Sequence, residues 1–185
     1  MTPKMLLRWG GCIALMTLPA ASPGAAAPPP ASDASLIQNA LSAGPKAIAE
    51  GAKVVTMGAT GMRELRPGTN GFTCMPDDPS TPGVDPMCLD RNAMRWAGAW
   101  MSKQTPPADA VGVIYMLAGG TDASNTDPYA KPPADGKWVV TGPHLMLVGS
   151  PALNAQYPSG ANPDTTKPYV MWGGTPYAHV MIPVR

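Results

Sequence analysis

The sequence carries little charge of either sign. Only 14% of its 185 residues are charged, and 13 Lys and Arg against 12 Asp and Glu leave a formal net charge of +1. A disordered acidic or basic tail carries far more charge of one sign. A nucleic-acid-binding surface needs a basic surplus, which is missing here. These two classes are therefore excluded, and we expect no nucleic acid among the partners.

Several motifs of well-known enzyme classes are also absent. Glutamate occurs only at Glu50 and Glu64, which argues against a glycosidase with a pair of catalytic glutamates. The sequence has no Gly-x-Ser-x-Gly motif, the nucleophile turn of many hydrolases. A phosphate-binding glycine loop after a strand is missing as well. No recognised motif therefore assigns a reaction.

Proline and glycine are abundant, with 24 and 20 copies, and this much proline excludes a coiled coil. Hydrophobic residues make up 44% of the chain, so its length suits one domain with a real core. We interpret the proline and glycine as turns, helix stops and long loops. The sequence therefore predicts a loop-rich folded domain.

The N-terminus has the three parts of a bacterial export signal. Lys4 and Arg8 provide the positive charge, residues 9–20 form a short apolar stretch, and small residues fill 20–27. We therefore expect a signal peptide over 1–27, with the cleavage position open, and a periplasmic or secreted protein. No other segment reaches 18 uninterrupted apolar residues, so we expect no stable membrane anchor after the signal is removed.

The cysteine count supports the same compartment. The chain has three cysteines, and removal of the signal would take away Cys12 and leave Cys74 and Cys88. In an oxidising compartment these two are expected to form a disulfide. The bond would close a loop of about 15 residues, worth on the order of 3 kcal/mol in the chain-entropy model. Prolines already stiffen that loop, so we expect a smaller gain.

The rest of the chain is predicted to be a flexible Pro- and Ala-rich leader over 28–35 and one α+β domain over 36–185. Apolar residues recur at helical spacing over 36–48, with a break at Gly44-Pro45. A second helix should begin after Asp90 as its N-cap and stop before Pro106. Two or three helices are therefore expected.

The strands are predicted mostly in the last third of the chain. The β-rich segments there are 111–117, 138–148 and 169–184. Earlier, residues 62–66 and 72–75 flank Pro-Gly-Thr-Asn-Gly, which is typical of a hairpin turn. We therefore expect a mainly antiparallel sheet, packed by the helices and carrying one disulfide.

Both histidines of the chain lie in the same local pattern. His144 precedes Met146 by two residues, and His179 precedes Met181 by two residues. On a strand, residues two apart point to one face of the sheet. If the two strands are neighbours, both imidazoles and both thioethers can converge, and these ligands favour Cu(I). One hypothesis is therefore a periplasmic Cu(I)-binding protein, with copper as its metal.

Two other functions stay open. A small hydrolase could use His144 or His179, provided that the imidazole lies in a solvent-reachable cleft beside an Asp or Ser. A binding or accessory protein of the bacterial cell envelope could recognise a small ligand or an envelope protein through its aromatic residues and long loops. The aromatic residues concerned are Tyr129, Trp138, Tyr157, Tyr169, Trp172 and Tyr177. We favour a binding role over catalysis.

Four segments carry a resemblance. They are Gly-Thr-Asn-Gly-Phe-Thr-Cys-Met-Pro at 68–76, Asp-Pro-Met-Cys-Leu-Asp at 85–90, Ser-Asn-Thr-Asp-Pro-Tyr at 124–129 and Thr-Gly-Pro-His-Leu-Met at 141–146. Together they resemble uncharacterised exported bacterial proteins of unknown function over nearly the whole mature chain. The resemblance implies export but no activity or site, and no characterised family is matched.

Overall fold

The computed structural model describes residues 31–58 and 61–184. The expected signal peptide over 1–27 lies outside these residues, and so does the first part of the expected leader. Residues Ala31–Arg185 form one compact unit.

The described chain contains four helices. They are α1 (Asp33–Leu41), α2 (Lys46–Ala49), α3 (Arg91–Met101) and α4 (Pro151–Asn154). Helix α1 begins three residues inside the segment expected to be a leader, because the Ser32 side chain caps it by accepting from the Ser35 backbone N–H. Asp90 caps α3 as expected, accepting from the Ala93 backbone N–H at 2.7 Å.

Within residues 31–58 and 61–184, eight strands form one mixed sheet, and two more form a small second sheet. The strands are β1 (Lys53–Gly58), β2 (Gly61–Arg66), β3 (Thr73–Met75), β4 (Met87–Leu89), β5 (Gly112–Met116), β6 (Gly120–Asp122), β7 (Val139–Thr141), β8 (His144–Val148), β9 (Tyr169–Met171) and β10 (His179–Pro183). The order in the large sheet is β2-β1-β3-β4-β5-β8-β10-β9. Among the described strands only β1 and β3 pair in parallel. The predicted α+β class with a mainly antiparallel sheet is therefore confirmed.

The predicted hairpin around residues 67–71 is wrong. Strand β2 pairs with β1 on one side, while β3 pairs with β1 on the other side, in parallel. The segment between them crosses the start of β1, where the Thr69 N–H donates to the Gly51 carbonyl at 2.8 Å. A side chain at Gly68 would overlap the backbone of Lys53, so glycine permits this close crossing. The turn residues were recognised, but their role is a crossover.

Each face of the large sheet buries its own core. Helix α3 covers one face, whose cluster includes Trp96, Met146 and Met181. Helix α1 lies against the other through Ala40, and Ala43, just after the helix, joins the same cluster. The second cluster also contains the residues of β3 and β4 that form the predicted disulfide. Cys74 and Cys88 are opposite each other in the β3–β4 register and are joined by that bond.

Within the described ranges, none of the helices has the length and apolar character needed to cross a bilayer. The longest, α3, has 11 residues, whereas a spanning helix needs about 20.

Candidate metal centre

The two histidine-containing strands are neighbours, as the copper hypothesis requires. Strand β8 pairs antiparallel with β10, and Met146 lies directly opposite Met181. Residues two apart on a strand share a face, so both histidines lie on the same face as this methionine pair. All four side chains are at most 9% exposed. The structure therefore places the four candidate residues on one buried face.

The register separates the backbone positions of the two histidines along the strands. His144 lies opposite Pro183, four residues along β10 from His179, which is roughly 13 Å of strand. Each ring also bonds to a carbonyl two residues before it on its own strand. Because the strands are antiparallel, the rings lean in opposite directions. The register therefore puts the methionine pair between the two histidines along the strands.

The hydrogen bonds define the protonation of each imidazole. His144 Nδ1 is 2.7 Å from the Gly142 carbonyl oxygen, and His179 Nδ1 is 2.9 Å from the Tyr177 carbonyl oxygen. A carbonyl oxygen can only accept, so Nδ1 carries the proton and Nε2 carries the lone pair. Neither Nε2 has a hydrogen-bond partner within the described chain, although both are buried. A backbone bond to one nitrogen and a free lone pair on the other is the arrangement that metal-binding histidines use.

Burial keeps both imidazoles neutral. Loss of solvent lowers the pKa of His179 to about 4; the bond to Tyr177 opposes this effect in part, and the charge of His144 adds to it. Burial also lowers the pKa of His144, against the opposing bond to Gly142. A neutral imidazole is the form that binds a metal ion. At neutral pH both lone pairs are therefore ready to act as ligands.

Each histidine has two methionines of its own. Met116 of β5 lies opposite His144, and Met171 of β9 lies opposite His179. The second methionine of each group stands two residues further along the histidine's own strand. We call the two groups the His144 set (His144, Met146, Met116) and the His179 set (His179, Met181, Met171). The strand pairing relates the two sets by a local pseudo-twofold between Met146 and Met181.

The His144 set includes a close approach at Gly120. A Cβ atom placed on Gly120 would lie 3.2 Å from His144 Cε1 and 3.8 Å from Met116 Sδ. The imidazole and the thioether therefore both pack against the backbone at Gly120. The absence of a side chain at Gly120 lets them share it.

The His179 set has an aromatic wall. The rings of Trp96 and Trp172 are stacked 6.2 Å apart with an interplanar angle of 9°. His179 stands perpendicular to both, with centroids 5.2 Å from Trp96 and 5.0 Å from Trp172. Trp172 takes a left-handed backbone conformation, with φ of 56°, and its indole N–H donates to the Ser124 carbonyl at 3.0 Å. Such strain in a bulky residue is typical of functional sites.

Asp122 is an acidic side chain close to Tyr169, which lies opposite Met181. Burial, with a contribution from the nearby Asp85 carboxylate, raises the pKa of Asp122 to about 7. The Asp85 carboxylate accepts from the hydroxyls of Thr81 at 2.6 Å and Thr121 at 3.2 Å. No group of three or more His, Cys, Asp or Glu side chains in the described ranges is arranged to hold a metal ion. Imidazole and thioether groups are the ligands that define the two sets.

The hydrolase alternative needs an exposed histidine. His144 and His179 are only 1% and 0% exposed. Their hydrogen bonds within the described chain go to backbone carbonyls, not to an Asp or Ser side chain. The geometry therefore does not meet the requirement for hydrolysis, and we do not propose it.

The aromatic residues considered as a ligand surface do not form one patch. Tyr169, Trp172 and Tyr177 are buried in the core, whereas Tyr129 and Tyr157 are exposed. The surface has clefts of about 270 and 290 Å³, and neither is lined by any of these aromatic residues. Tyr169, Trp172 and Tyr177 therefore belong to the core, and Trp172 is also part of the wall of His179, whereas Trp138 is half-buried.

Sequence reasoning missed three residues of the two sets and their wall. Met116 and Met171 lie inside apolar runs in which methionine is ordinary core, and Trp96 fits the apolar face of α3. Their connection to the histidines depends on strand register and on helix placement. The sequence did carry a signal for an unusual backbone at Trp172, because this residue stands immediately before Gly173-Gly174, where backbone turns are favoured.

No protein-family model, curated protein or solved structure matches the chain. This result agrees with the resemblance to uncharacterised proteins alone, and it leaves the function to be argued from the residues themselves.

Proposed function

We propose that this chain is a Cu(I)-binding protein of the bacterial cell envelope, and that it binds copper through the His144 and His179 sets. The proposal makes specific the binding or accessory role that the sequence favours. Export of the chain, with removal of residues 1–27, is part of the same proposal.

One observation supports it above the others: two fully buried imidazoles whose Nε2 lone pairs have no partner in the described chain. Leaving a buried polar atom unsatisfied costs about 1–3 kcal/mol, so such atoms call for a specific explanation. Both histidines carry this cost. Each is protonated on Nδ1, and each stands beside methionines. A metal ion that accepts the lone pair removes the cost at both positions.

The ligand chemistry selects the metal. Each set offers one imidazole nitrogen and two thioether sulfurs, and soft thioethers favour Cu(I). Zn²⁺ in proteins is instead bound mainly by thiolates, imidazoles and carboxylates. Methionine is unbranched and flexible, so its sulfur can reach an ion without backbone movement. Cu(I) accepts a low coordination number, so one nitrogen and two sulfurs can complete its coordination.

The test is an anaerobic competition for Cu(I) against a chromophoric Cu(I) chelator. A Cys12→Ser background keeps a free thiol from binding copper outside the proposed sets. We expect two Cu(I) ions per chain in this background. His144→Gln and His179→Gln should each lose one ion, and the double variant should lose both.

The matched control uses methionines outside the sets. Met57 and Met62 are 54% and 49% exposed and lie opposite each other at the tip of the β1–β2 pair. Replacing both with Leu should leave two ions bound. Failure of the unsubstituted chain to compete for Cu(I), or equal binding by the folded double-histidine variant, would overturn the proposal. Circular dichroism establishes that each variant is folded before it is titrated.

A further inference from the structure

The two sets share the same ligand types but have different surroundings. His179 is perpendicular to the stacked indoles of Trp96 and Trp172, whereas His144 lies beside Gly120. Trp100 extends the stack, 5.2 Å from Trp172 and 6.3 Å from Trp96. The histidine of one set therefore packs against indole rings, whereas the histidine of the other packs against the backbone at Gly120.

From this difference we infer that the His179 set is a site selective for monovalent soft cations, and that Trp172 is the residue that determines its selectivity. The inference rests on the proposed function and adds a specific role for the aromatic wall. Its ligand class is a singly charged soft metal ion, Cu(I) or its redox-stable substitute Ag(I).

The ligands of the His179 set carry no charge. An imidazole and two thioethers are neutral, so an ion bound at His179 keeps its full charge inside a buried site. The cost of burying an uncompensated charge is large and grows with the square of that charge. A dication such as Zn²⁺ would therefore be penalised far more than a monocation at the same position.

The indoles favour a monocation at this position. The face of an aromatic ring carries negative potential, and Trp attracts cations more strongly than Tyr or Phe. A monocation near His179 gains from this potential without needing an anionic ligand. The rings have no lone pair to offer a dication.

The backbone conformation of Trp172 supports a specific role for its indole. A left-handed conformation is costly for a bulky residue. The Trp172 N–H donates to the Asn125 carbonyl at 2.7 Å, and its indole N–H donates to the Ser124 carbonyl at 3.0 Å. Two bonds to one loop therefore hold the indole against His179 in spite of the strain. A purely space-filling residue would not require this orientation.

The experiment measures Cu(I) and Zn²⁺ affinities of Trp172→Leu in two backgrounds, both with Cys12→Ser. In the His144→Gln background only the His179 set remains, and we expect Trp172→Leu to weaken Cu(I) binding about tenfold with little change for Zn²⁺. In the His179→Gln background the same substitution should leave Cu(I) affinity unchanged. The second set thus serves as an internal control for general damage to the fold.

Fluorescence adds a readout that a merely structural role would not change. Ag(I) should quench tryptophan emission in the His144→Gln protein and leave it largely unchanged in the His179→Gln protein. Trp96→Phe provides a gentler variant, since the buried Trp96 indole nitrogen has no hydrogen-bond partner in the described chain to lose. It should reduce Cu(I) affinity by a smaller factor, even if Trp172→Leu does not fold.

The failures of the two proposals are distinguishable. Absence of Cu(I) binding by the unsubstituted chain contradicts the proposed function. Normal Cu(I) binding with an unchanged ratio of Cu(I) to Zn²⁺ affinity in the folded tryptophan variants contradicts the selectivity role alone. Equal loss of affinity in both histidine backgrounds would also overturn it, because the effect would then be general.

Discussion

Replacing Gly112 with Ala is expected to lower the free energy of unfolding by about 3 kcal/mol or more. Gly112 begins β5, and a Cβ atom there would overlap the backbone nitrogen of Ala93 in α3. Because the overlap is with backbone, no rotamer change relieves it, and the helix has to move away from the sheet. Trp96 lies on the same helix, so the wall of His179 would shift with it. Urea unfolding of the two proteins at pH 7 measures the loss.

A second glycine provides the matched control. Gly98 lies in the same helix, and a Cβ atom there would meet no atom within 4 Å. Gly98→Ala should therefore stabilise the protein by about 0.5–1 kcal/mol, the usual gain from replacing glycine inside a helix. Similar unfolding free energies for the two variants would contradict the close packing of α3 on β5.

Acid is expected to destabilise the metal-free protein through His179. Its pKa is about 4 in the folded chain and 6.5 as the ordinary value. The unfolded state therefore binds the proton more tightly. The stability contributed by the buried neutral imidazole is fully present above pH 6.5 and is lost as the pH falls through about 4. Between pH 7 and pH 4 the loss amounts to about 3 kcal/mol.

The measurement compares the metal-free protein with His179→Gln across this pH range. Asp122 contributes in the opposite direction, because its raised pKa of about 7 adds stability as the pH falls. The raised pKa of Asp77 acts in the same direction as Asp122. The difference between the two proteins removes these shared contributions. It should shift by about 3 kcal/mol in favour of the variant from pH 7 to pH 4, and a constant difference would contradict the buried neutral imidazole.

Local features of this fold could be predicted from the sequence. The apolar spacing after Asp90 predicted α3, and Asp90 caps it. The cysteine count and the expected export predicted the bond between Cys74 and Cys88. The two-residue spacing of histidine and methionine placed each pair on one face of a strand. Each of these predictions depends only on residues near one another in sequence or on counting.

Long-range register could not be predicted. A shift of the β8–β10 register would have changed which residues face His144 and His179, and nothing in either segment specifies the pairing. The turn at 67–71 shows the same limit, because its residues permit either a hairpin or the observed crossover. Trp172 adds a third case, since its backbone conformation depends on bonds to a loop almost 50 residues away.

X-ray absorption at the copper edge of the Cu(I)-loaded Cys12→Ser protein tests the central claim most directly. Since Cys74 and Cys88 are bonded to each other, sulfur around the metal must come from methionine. We predict one imidazole nitrogen and two sulfur scatterers per copper, with the sulfur count halved when Met146 and Met181 are both replaced by Leu. A copper environment of nitrogen and oxygen alone, or a sulfur count unaffected by that double substitution, would contradict the account.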